Sequence, residues 1–200
     1  MNTAIIILAA GASSRMGMPK QLLMHEGKTL IKRVAEMALD TPCHPIVVVL
    51  GACKEEIRKE IKKIPLTIIE NPNWEDGMSS SIKMGLVGAY MTQKDIDAVI
   101  FLTVDMPFVS INLINKMIIE ANQSPDSQIV ACNYEKNIGI PVLFKRSLFN
   151  DLLELKGDEG AKKIVTKNKD KTTLIDFPEG KFDLDTIDEY WNFVTTFNQN

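Results

Sequence analysis

Residues 4–20 read AIIILAAGASSRMGMPK. The first part of this stretch, residues 4–8, is continuously apolar, which is typical of a strand buried on both faces of a parallel sheet. The second part is a turn of small residues that carries two cations, Arg15 and Lys20. Ligands of open α/β sheets bind outside the carboxyl ends of the strands, and small residues let backbone N–H groups approach an anion closely. The stretch therefore predicts a buried strand that runs into an anion-binding loop.

Similar short apolar runs recur along the chain and predict further strands. They lie at residues 46–50, 67–69, 98–104, 129–132, 141–144 and 172–175. The segments between them have helical periodicity, as in the stripe of Leu30, Val34 and Ala38. Strands that alternate with helices predict an α/β protein with a mainly parallel sheet. We expect one domain over residues 1–200, whose second half modifies the sheet.

Polar residues at the starts of several segments predict helix caps. Serines in residues 79–81 and Ser110 are candidate N-caps, and Thr186 with Glu189 has the spacing of a capping box. Pro141 is expected to begin a strand, because proline is tolerated mainly at strand starts and sheet edges.

Composition and charge exclude several classes of protein. The 200 residues include 23 lysines and arginines against 26 aspartates and glutamates, a net charge of −3, so neither nucleic acid nor an anionic membrane is an expected partner. No apolar run approaches the roughly 18 to 20 residues of a membrane span, and the first apolar run lacks the basic flank of a signal peptide. Three widely spaced cysteines and two histidines predict neither a structural zinc site nor a disulfide framework, and they favour a reducing cytoplasm.

The loop after the first strand does not match the two most familiar phosphate-binding motifs. Gly11 is followed by Ala12, and the next glycine is Gly17, so the G-x-G-x-x-G pattern of dinucleotide-binding proteins is missing. Lys20 follows Pro19, whereas a Walker A loop has glycine before its lysine. A simple glycine turn whose two cations are solvated is the structural interpretation that stays open.

Five segments together resemble one family. They are LAAGASSRMGMPK at 8–20, NPNWEDGMSSSI at 71–82, VDMP at 104–107, IPVLFKRSLFNDLLELKGDEGAK at 140–162 and DLDTIDEY at 183–190. In this order they resemble the MobA-like NTP transferases, the nucleotidyltransferases of the molybdenum cofactor cytidylyltransferase and guanylyltransferase type. The resemblance covers nearly the whole chain and implies a Rossmann-like sheet flanked by helices.

The resemblance also implies roles for individual residues. Arg15 and Lys20 are expected to grip a triphosphate, and Asp105 is expected to hold Mg²⁺ together with Asp183 or Asp185. The residues implied around the nucleotide are Leu8, Ala9, Ala10 and Gly11 along the backbone, and Gly51, Asn71, Gly77 and Ser81 near the base and ribose.

The aspartates also have purely structural interpretations. Asp105 follows an apolar strand and precedes Met106-Pro107, which puts a carboxylate on the same edge of the sheet as the cationic loop and suits Mg²⁺. Asp105 could equally begin a turn before the helix near Ser110. Asp183 and Asp185 stand where acidic residues favour a helix N-terminus. The cationic loop on the same edge favours the metal for Asp105, while the choice between Asp183 and Asp185 stays open.

The function implied by the resemblance is transfer of CMP from CTP to a phosphorylated acceptor, with release of pyrophosphate. The LAAG form of the loop resembles cytidylyltransferases; guanylyltransferases more often have a second glycine where Ala10 stands. The implied acceptor is molybdopterin or its metal-loaded form, with a molybdoenzyme or chaperone as a further partner. Ile140 replaces a histidine common in relatives and is expected to face the acceptor, which keeps sugar phosphates open. GTP as donor also stays open, as do a non-catalytic protein that binds a nucleotide or cofactor and an oxidoreductase.

Overall fold

The strands of the protein form one large sheet and one small hairpin. A computed structural model describes residues 1–135 and 137–197. The strands are β1 (Thr3–Ala9), β2 (Met24–His25), β3 (Lys28–Thr29), β4 (Ile46–Leu50), β5 (Thr67–Glu70), β6 (Ala98–Thr103), β7 (Ile129–Tyr134), β8 (Asn137–Lys145) and β9 (Thr172–Asp176). Strands β2 and β3 pair with each other, and the other seven form the main sheet.

The main sheet is mostly parallel. Its strand order is β5-β4-β1-β6-β8-β7-β9, with β8 antiparallel to both of its neighbours. The pairs β5-β4, β4-β1, β1-β6 and β7-β9 are parallel. This arrangement confirms the predicted α/β class, and it aligns the carboxyl ends of β1, β4 and β6 along one edge of the sheet.

Helices cover both faces of this sheet. They are α1 (Leu30–Leu39), α2 (Lys54–Ile61), α3 (Met78–Thr92), α4 (Ile111–Gln123), α5 (Phe149–Leu153), α6 (Ala161–Lys167) and α7 (Ile187–Phe197). Ile5 and Ile7 point to a core shared with α1, α2, α4 and α7, whereas Ile6 and Leu8 point to a core shared with α3, α5 and α6. Burial on both faces explains why the strands are continuously apolar. Within the described residues, no helix combines the length and apolar character that crossing a bilayer requires.

Two predicted helix caps are confirmed, and one is wrong. The Ser110 hydroxyl accepts a hydrogen bond from the Leu113 N–H at 3.3 Å. Thr186 and Glu189 form the reciprocal bonds of a capping box, at 2.7 and 3.3 Å. In α3 the N-cap is Gly77, not a serine, and the serines lie within the first helical turn. A tertiary contact explains why these serines do not cap the helix. The hydroxyls of Ser80 and Ser81 instead accept hydrogen bonds from the buried Asn71 side chain, on the turn after β5.

The prediction that Pro141 begins a strand is wrong. Strand β8 begins at Asn137 and runs through the proline in the interior of the sheet. Its pairing with β7 is irregular there: Ala131 pairs with Val142, and the next residue, Cys132, pairs with Gly139. Because the ladder is interrupted between these two pairs, a residue without an N–H fits in a central strand.

Candidate active site

The loop after β1 is held by its carbonyl oxygens. The buried Gln21 side chain donates hydrogen bonds from Nε2 to the carbonyl oxygens of Ala9 at 3.0 Å and Gly11 at 2.9 Å. The N–H of Ala52 donates to the carbonyl oxygen of Ala10 at 2.9 Å. The loop is therefore fixed from both sides before any ligand binds.

A cavity of about 420 Å³, here the first cavity, opens at the carboxyl ends of β1 and β6. Its lining comprises Leu8, Ala10, Gly11, Ala12, Ser14, Lys20, Gln21, Trp74, Glu75, Gly77, Met78, Ser81, Thr103, Val104, Asp105 and Asp158. Seven residues proposed from the sequence are thus brought together on one cavity: Leu8, Ala10, Gly11, Lys20, Gly77, Ser81 and Asp105. Ala9, Gly51 and Asn71 lie behind this lining.

Asn71 shapes the cavity from behind. Its side chain is buried, and its Nδ2 donates to the hydroxyls of Ser80 at 2.8 Å and Ser81 at 3.0 Å. Its Oδ1 accepts from the N–H of Asn73 at 3.0 Å. Asn71 therefore ties the turn after β5 to the first turn of α3, which positions the Ser81 side chain at the cavity.

Gly51 allows the indole of Trp74 to pack against the end of β4. A Cβ atom on Gly51 would lie 2.6 Å from both the Ala10 carbonyl oxygen and the Trp74 Cβ. Real Cβ atoms do not approach other heavy atoms so closely, so a side chain here must displace the loop or the indole. Gly51 thus contributes to the cavity by bringing Trp74 close to the loop.

The predicted cation and the predicted metal ligands contact one another. Lys20 Nζ donates hydrogen bonds to Asp105 Oδ2 and, at 2.9 Å, to Asp185 Oδ1. Arg15 Nη2 donates to Asp185 Oδ2 at 2.6 Å, although the arginine side chain is 70% exposed. Carboxylate oxygens of Asp105, Asp183 and Asp185 all lie within 4.8 Å of one another. Among the residues that the structure describes, both late aspartates therefore join Asp105 in one cluster.

Backbone hydrogen bonds hold the cluster together. The N–H of Leu184 donates to the Asp105 carbonyl oxygen at 3.1 Å, which ties the segment before α7 to the end of β6. Glu189 Oε2 accepts from the N–H of Asp185 at 3.0 Å, in addition to its bonds in the capping box. The start of α7 therefore fixes the late aspartates against the end of β6, although the two segments are far apart in the chain.

The cluster shifts the pKa values of its members in opposite directions. Partial desolvation and the charges of Asp105 and Asp185 raise the pKa of Asp183 to about 7. Partial burial acts to raise the pKa of Asp185, but the hydrogen bond and charge of Lys20 and the charge of Arg15 outweigh it and lower this pKa. Burial likewise acts to lower the pKa of Lys20, but Asp105 and Asp185 outweigh it and raise this pKa. The lysine is therefore cationic, and Asp183 is protonated more readily than Asp185.

A second cavity of about 510 Å³ adjoins the first. Besides Arg15, Asp183 and Asp185, its lining includes Tyr134, Asn137, Ile138, Gly139, Ile140, Gly160, Ala161, Lys162, Val165 and Gly180. The two cavities share Lys20, Met78, Thr103 and Asp105. Ile140 lines this second cavity; that it faces the acceptor stays a prediction. The lysine and carboxylate pair thus lies where the two cavities meet.

Three residues of the site carry no local signal that reveals them. Gln21 directly follows the first family motif and Asp158 lies in the fourth, but nothing near them in the sequence shows that they reach the first cavity. Tyr134 lines the second cavity, where burial and the charge of Asp183 raise its pKa. Only the fold brings Gln21, Asp158 and Tyr134 to the same edge of the sheet.

Trp74 differs from these three residues, because its sequence context predicts a packing residue. It does pack against the core, and it also lines the first cavity.

Comparison with known proteins decides the family. The family model described as the MobA-like NTP transferase domain matches residues 5–172. This chain belongs to the MobA-like NTP transferases. Members of this family bind nucleoside triphosphates and transfer nucleotidyl groups. The two cavities lie at the carboxyl ends of the strands, the edge at which open α/β sheets bind their ligands.

The relatives of this MobA-like chain are named for different activities. It is 27% identical over 197 residues to nicotine blue oxidoreductase of Paenarthrobacter nicotinovorans, covering 94% of this chain and 95% of the relative. It is 35% identical over 114 residues to molybdenum cofactor cytidylyltransferase of Escherichia coli, covering 56% of each. The crystal structure of Rv0371c from Mycobacterium tuberculosis in complex with manganese superposes with a TM-score of 0.79 at 22% identity, covering 98% of this chain and all of the other. The last comparison concerns the fold alone.

Proposed function

We propose that this protein transfers CMP from CTP to a small phosphorylated acceptor, of which molybdopterin is the first to test, and releases pyrophosphate. The observation that carries the proposal is the meeting of the two cavities at Lys20 and Asp105. A donor nucleotide in the first cavity and an acceptor in the second would present their phosphates to the same cation and the same carboxylate. Positioning and charge neutralisation are the main demands of phosphoryl chemistry.

The carboxylate cluster fits a divalent metal ion. Asp105, Asp183 and Asp185 offer three hard oxygen donors within 4.8 Å of one another, which suits Mg²⁺ or Mn²⁺ and not a soft metal. Mg²⁺ is also bound by few carboxylates plus substrate phosphates, and the cluster borders both cavities. A metal ion held by Asp105, Asp183 and Asp185 would supply positive charge beside the reacting phosphates.

The chain's own residues account for the remaining demands of the reaction. An acceptor phosphate oxygen attacks the α-phosphorus in line, and the bond from that phosphorus to the bridging oxygen of the β-phosphate breaks. Both electrons of that bond leave with pyrophosphate. Lys20 and Arg15 stabilise the negative charge on the α-phosphate and on the leaving group. No general base is required, because the attacking phosphate oxygen is already ionised.

The preference for CTP rests on the loop after β1. Ala10 stands where guanylyltransferases more often carry a second glycine, and a relative of the chain is named as a cytidylyltransferase. GTP is the second donor to test, and sugar phosphates are the second class of acceptor. The relative named as an oxidoreductase makes a redox activity on the same edge of the sheet a further outcome to test.

Release of pyrophosphate tests this function. The protein is incubated with Mg²⁺ and molybdopterin and, in turn, with CTP, GTP, ATP and UTP; fastest release with CTP is expected. Asp105→Asn keeps the shape of the side chain and removes a charge, so turnover should fall by about 100-fold or more with the fold retained in circular dichroism. Binding of nucleotides without release from any of them would reject the transferase in favour of a binding protein. Oxidation of NADH or NADPH without pyrophosphate release would favour the oxidoreductase.

A further inference from the structure

We infer that Tyr134 binds the acceptor in the second cavity by donating a hydrogen bond from its hydroxyl group. The inference rests on the proposed function, which assigns the second cavity to the acceptor. Tyr134 is the last residue of β7. Its side chain lines the second cavity and also packs against the core that the sheet shares with α1, α2, α4 and α7.

Two glycines on separate segments make room for the Tyr134 side chain. A Cβ atom on Gly180, in the turn after β9, would lie 2.6 Å from Tyr134 Cδ1. A Cβ atom on Gly139, in β8, would lie 2.5 Å from the Tyr134 hydroxyl oxygen. Neither glycine has a positive φ, so the backbone conformation alone does not require glycine at either position. Because both glycines also line the second cavity, their contacts hold the ring at its wall.

The hydroxyl of Tyr134 is available to a ligand. It forms no hydrogen bond with any residue in the part of the chain that the structure describes. The hydroxyl oxygen is not enclosed by protein either, so it is accessible from the cavity that the side chain lines. Burial of the ring and the charge of Asp183 raise the pKa of Tyr134 above its ordinary value. The hydroxyl therefore keeps its proton at neutral pH and can donate a hydrogen bond.

Few side chains of the second cavity can fix the orientation of an acceptor. Outside the cluster of charges around Lys20, the described residues of the lining include four with polar side chains: Thr103, Tyr134, Asn137 and Lys162. Thr103 is shared with the first cavity, and Asn137 and Lys162 are exposed, so binding must first order these last two side chains. The ring of Tyr134 is already fixed by its packing. Because an apolar cavity orients its ligand through its few polar groups, Tyr134 is the side chain best placed to orient the acceptor.

Removal of the hydroxyl alone tests this inference, since Tyr134→Phe keeps the ring. Molybdopterin and glucose 1-phosphate represent the two classes of acceptor, and each is titrated into the full-length protein with Mg²⁺. For the acceptor that binds the unchanged protein more tightly, Tyr134→Phe should raise the dissociation constant by about 3- to 10-fold, the range for a lost neutral hydrogen bond. The affinity for CTP should stay the same. Tyr90→Phe, the same change at an exposed position on α3 outside both cavities, should alter neither affinity.

A double-mutant cycle tests the position of the hydroxyl independently of any ligand. Gly139→Ala places a methyl group 2.5 Å from the hydroxyl oxygen, so it should displace the ring and lower the stability of the protein. In the double variant Tyr134→Phe/Gly139→Ala this oxygen is gone, and the nearest ring atom, Cζ, lies 3.5 Å from the methyl group, which is an ordinary contact. Gly139→Ala should therefore cost less stability when it is combined with Tyr134→Phe. An equal cost with and without Tyr134→Phe would overturn the placement of the hydroxyl on which the inference rests.

The outcomes separate this inference from the function on which it rests. An acceptor affinity that Tyr134→Phe leaves unaltered, or that falls together with the affinity for CTP, overturns the assignment, while pyrophosphate release still supports the transferase. Acceptor binding that depends on Tyr134 in a protein that releases no pyrophosphate supports the assignment and rejects the transferase. An unchanged protein that binds neither acceptor overturns the assignment.

Discussion

Lys20 donates a hydrogen bond from its ammonium group to the carboxylate of Asp105, which joins the loop after β1 to the end of β6. Both side chains are largely buried, and both cavities reach them. The cation proposed for the triphosphate and the carboxylate proposed for the metal are thus engaged with each other in the ligand-free protein. Ligand binding must therefore exchange these contacts for new ones.

Removing the cation should weaken binding of the triphosphate. In Lys20→Ala, the affinity for CTP should fall by about 10- to 100-fold, the range for a lost hydrogen bond to a charged group. Titration calorimetry measures the change, and Lys116→Ala, on the distant helix α4, is the matched control. Equal affinities of Lys20→Ala and the unchanged protein would show that Lys20 does not hold the triphosphate.

Removing one carboxylate should release the cations. In Asp185→Asn, Lys20 loses a hydrogen bond partner at 2.9 Å and Arg15 loses its ion pair at 2.6 Å. Metal-free binding of CTP, measured in the presence of EDTA, should therefore tighten by up to about fivefold. Binding of Mn²⁺ alone should weaken in the same variant. Asp188→Asn, an exposed position on α7, should change neither affinity, and a weaker metal-free affinity for CTP in Asp185→Asn would contradict this interpretation.

The raised pKa of Asp183 should make the metal-free protein less stable as the pH rises. This pKa is about 7 in the folded protein against 3.8 for an unperturbed aspartate, so between these values the folded state binds more protons than the unfolded state. The stabilisation from this proton is fully present below about pH 4 and is lost as the pH rises through about 7. Urea unfolding in EDTA at pH 4.5 and 7.5 should show the stability of the protein relative to Asp183→Asn falling with pH. A constant or rising difference contradicts the raised pKa.

Gly51 should tolerate no side chain, because the carbonyl oxygen of Ala10 and the Cβ of Trp74 occupy the space. Gly51→Ala is expected to lower the free energy of unfolding by about 1–3 kcal/mol, the usual cost of overpacking. Gly11→Ala adds the same methyl group where nothing lies within 4 Å, so its stability should be unaltered. Denaturant unfolding of both variants measures the two changes in stability. An equal loss in the two variants would contradict the close packing of Ala10 and Trp74 against Gly51.

Local sequence patterns predict most of the sheet. Five of the seven predicted strands of the main sheet agree with the structure to within one residue at either end. For β1, β4 and β6 the reason is that a strand buried on both faces is apolar almost throughout. The exceptions are β7 and β8, which extend beyond their apolar cores toward the second cavity. There the side chains line the second cavity, so burial no longer marks the strand. Pro141 misleads for a related reason, since the interrupted ladder that accommodates it depends on pairing with β7.

The candidate site is predictable where one loop or one strand end carries it. Lys20 and Asp105 follow directly from two strand ends on the same edge of the sheet. The contacts of Gln21, Asp158 and Tyr134 with the site depend on how the chain folds, so no local pattern reveals them. Asn71 illustrates the opposite case: its position in a motif identifies it, but its amide is engaged with two serine hydroxyls behind the cavity.

The fate of each phosphate of CTP tests the proposed reaction most directly. CTP labelled at the α-phosphorus or, separately, at the γ-phosphorus is incubated with the protein, Mg²⁺ and molybdopterin, and the products are separated. We predict that the α label appears in the acceptor and the γ label in pyrophosphate, with neither transfer in Asp105→Asn. Transfer of the γ label to the acceptor, or its release as inorganic phosphate with the α label left in CDP, would contradict the proposed transfer of CMP.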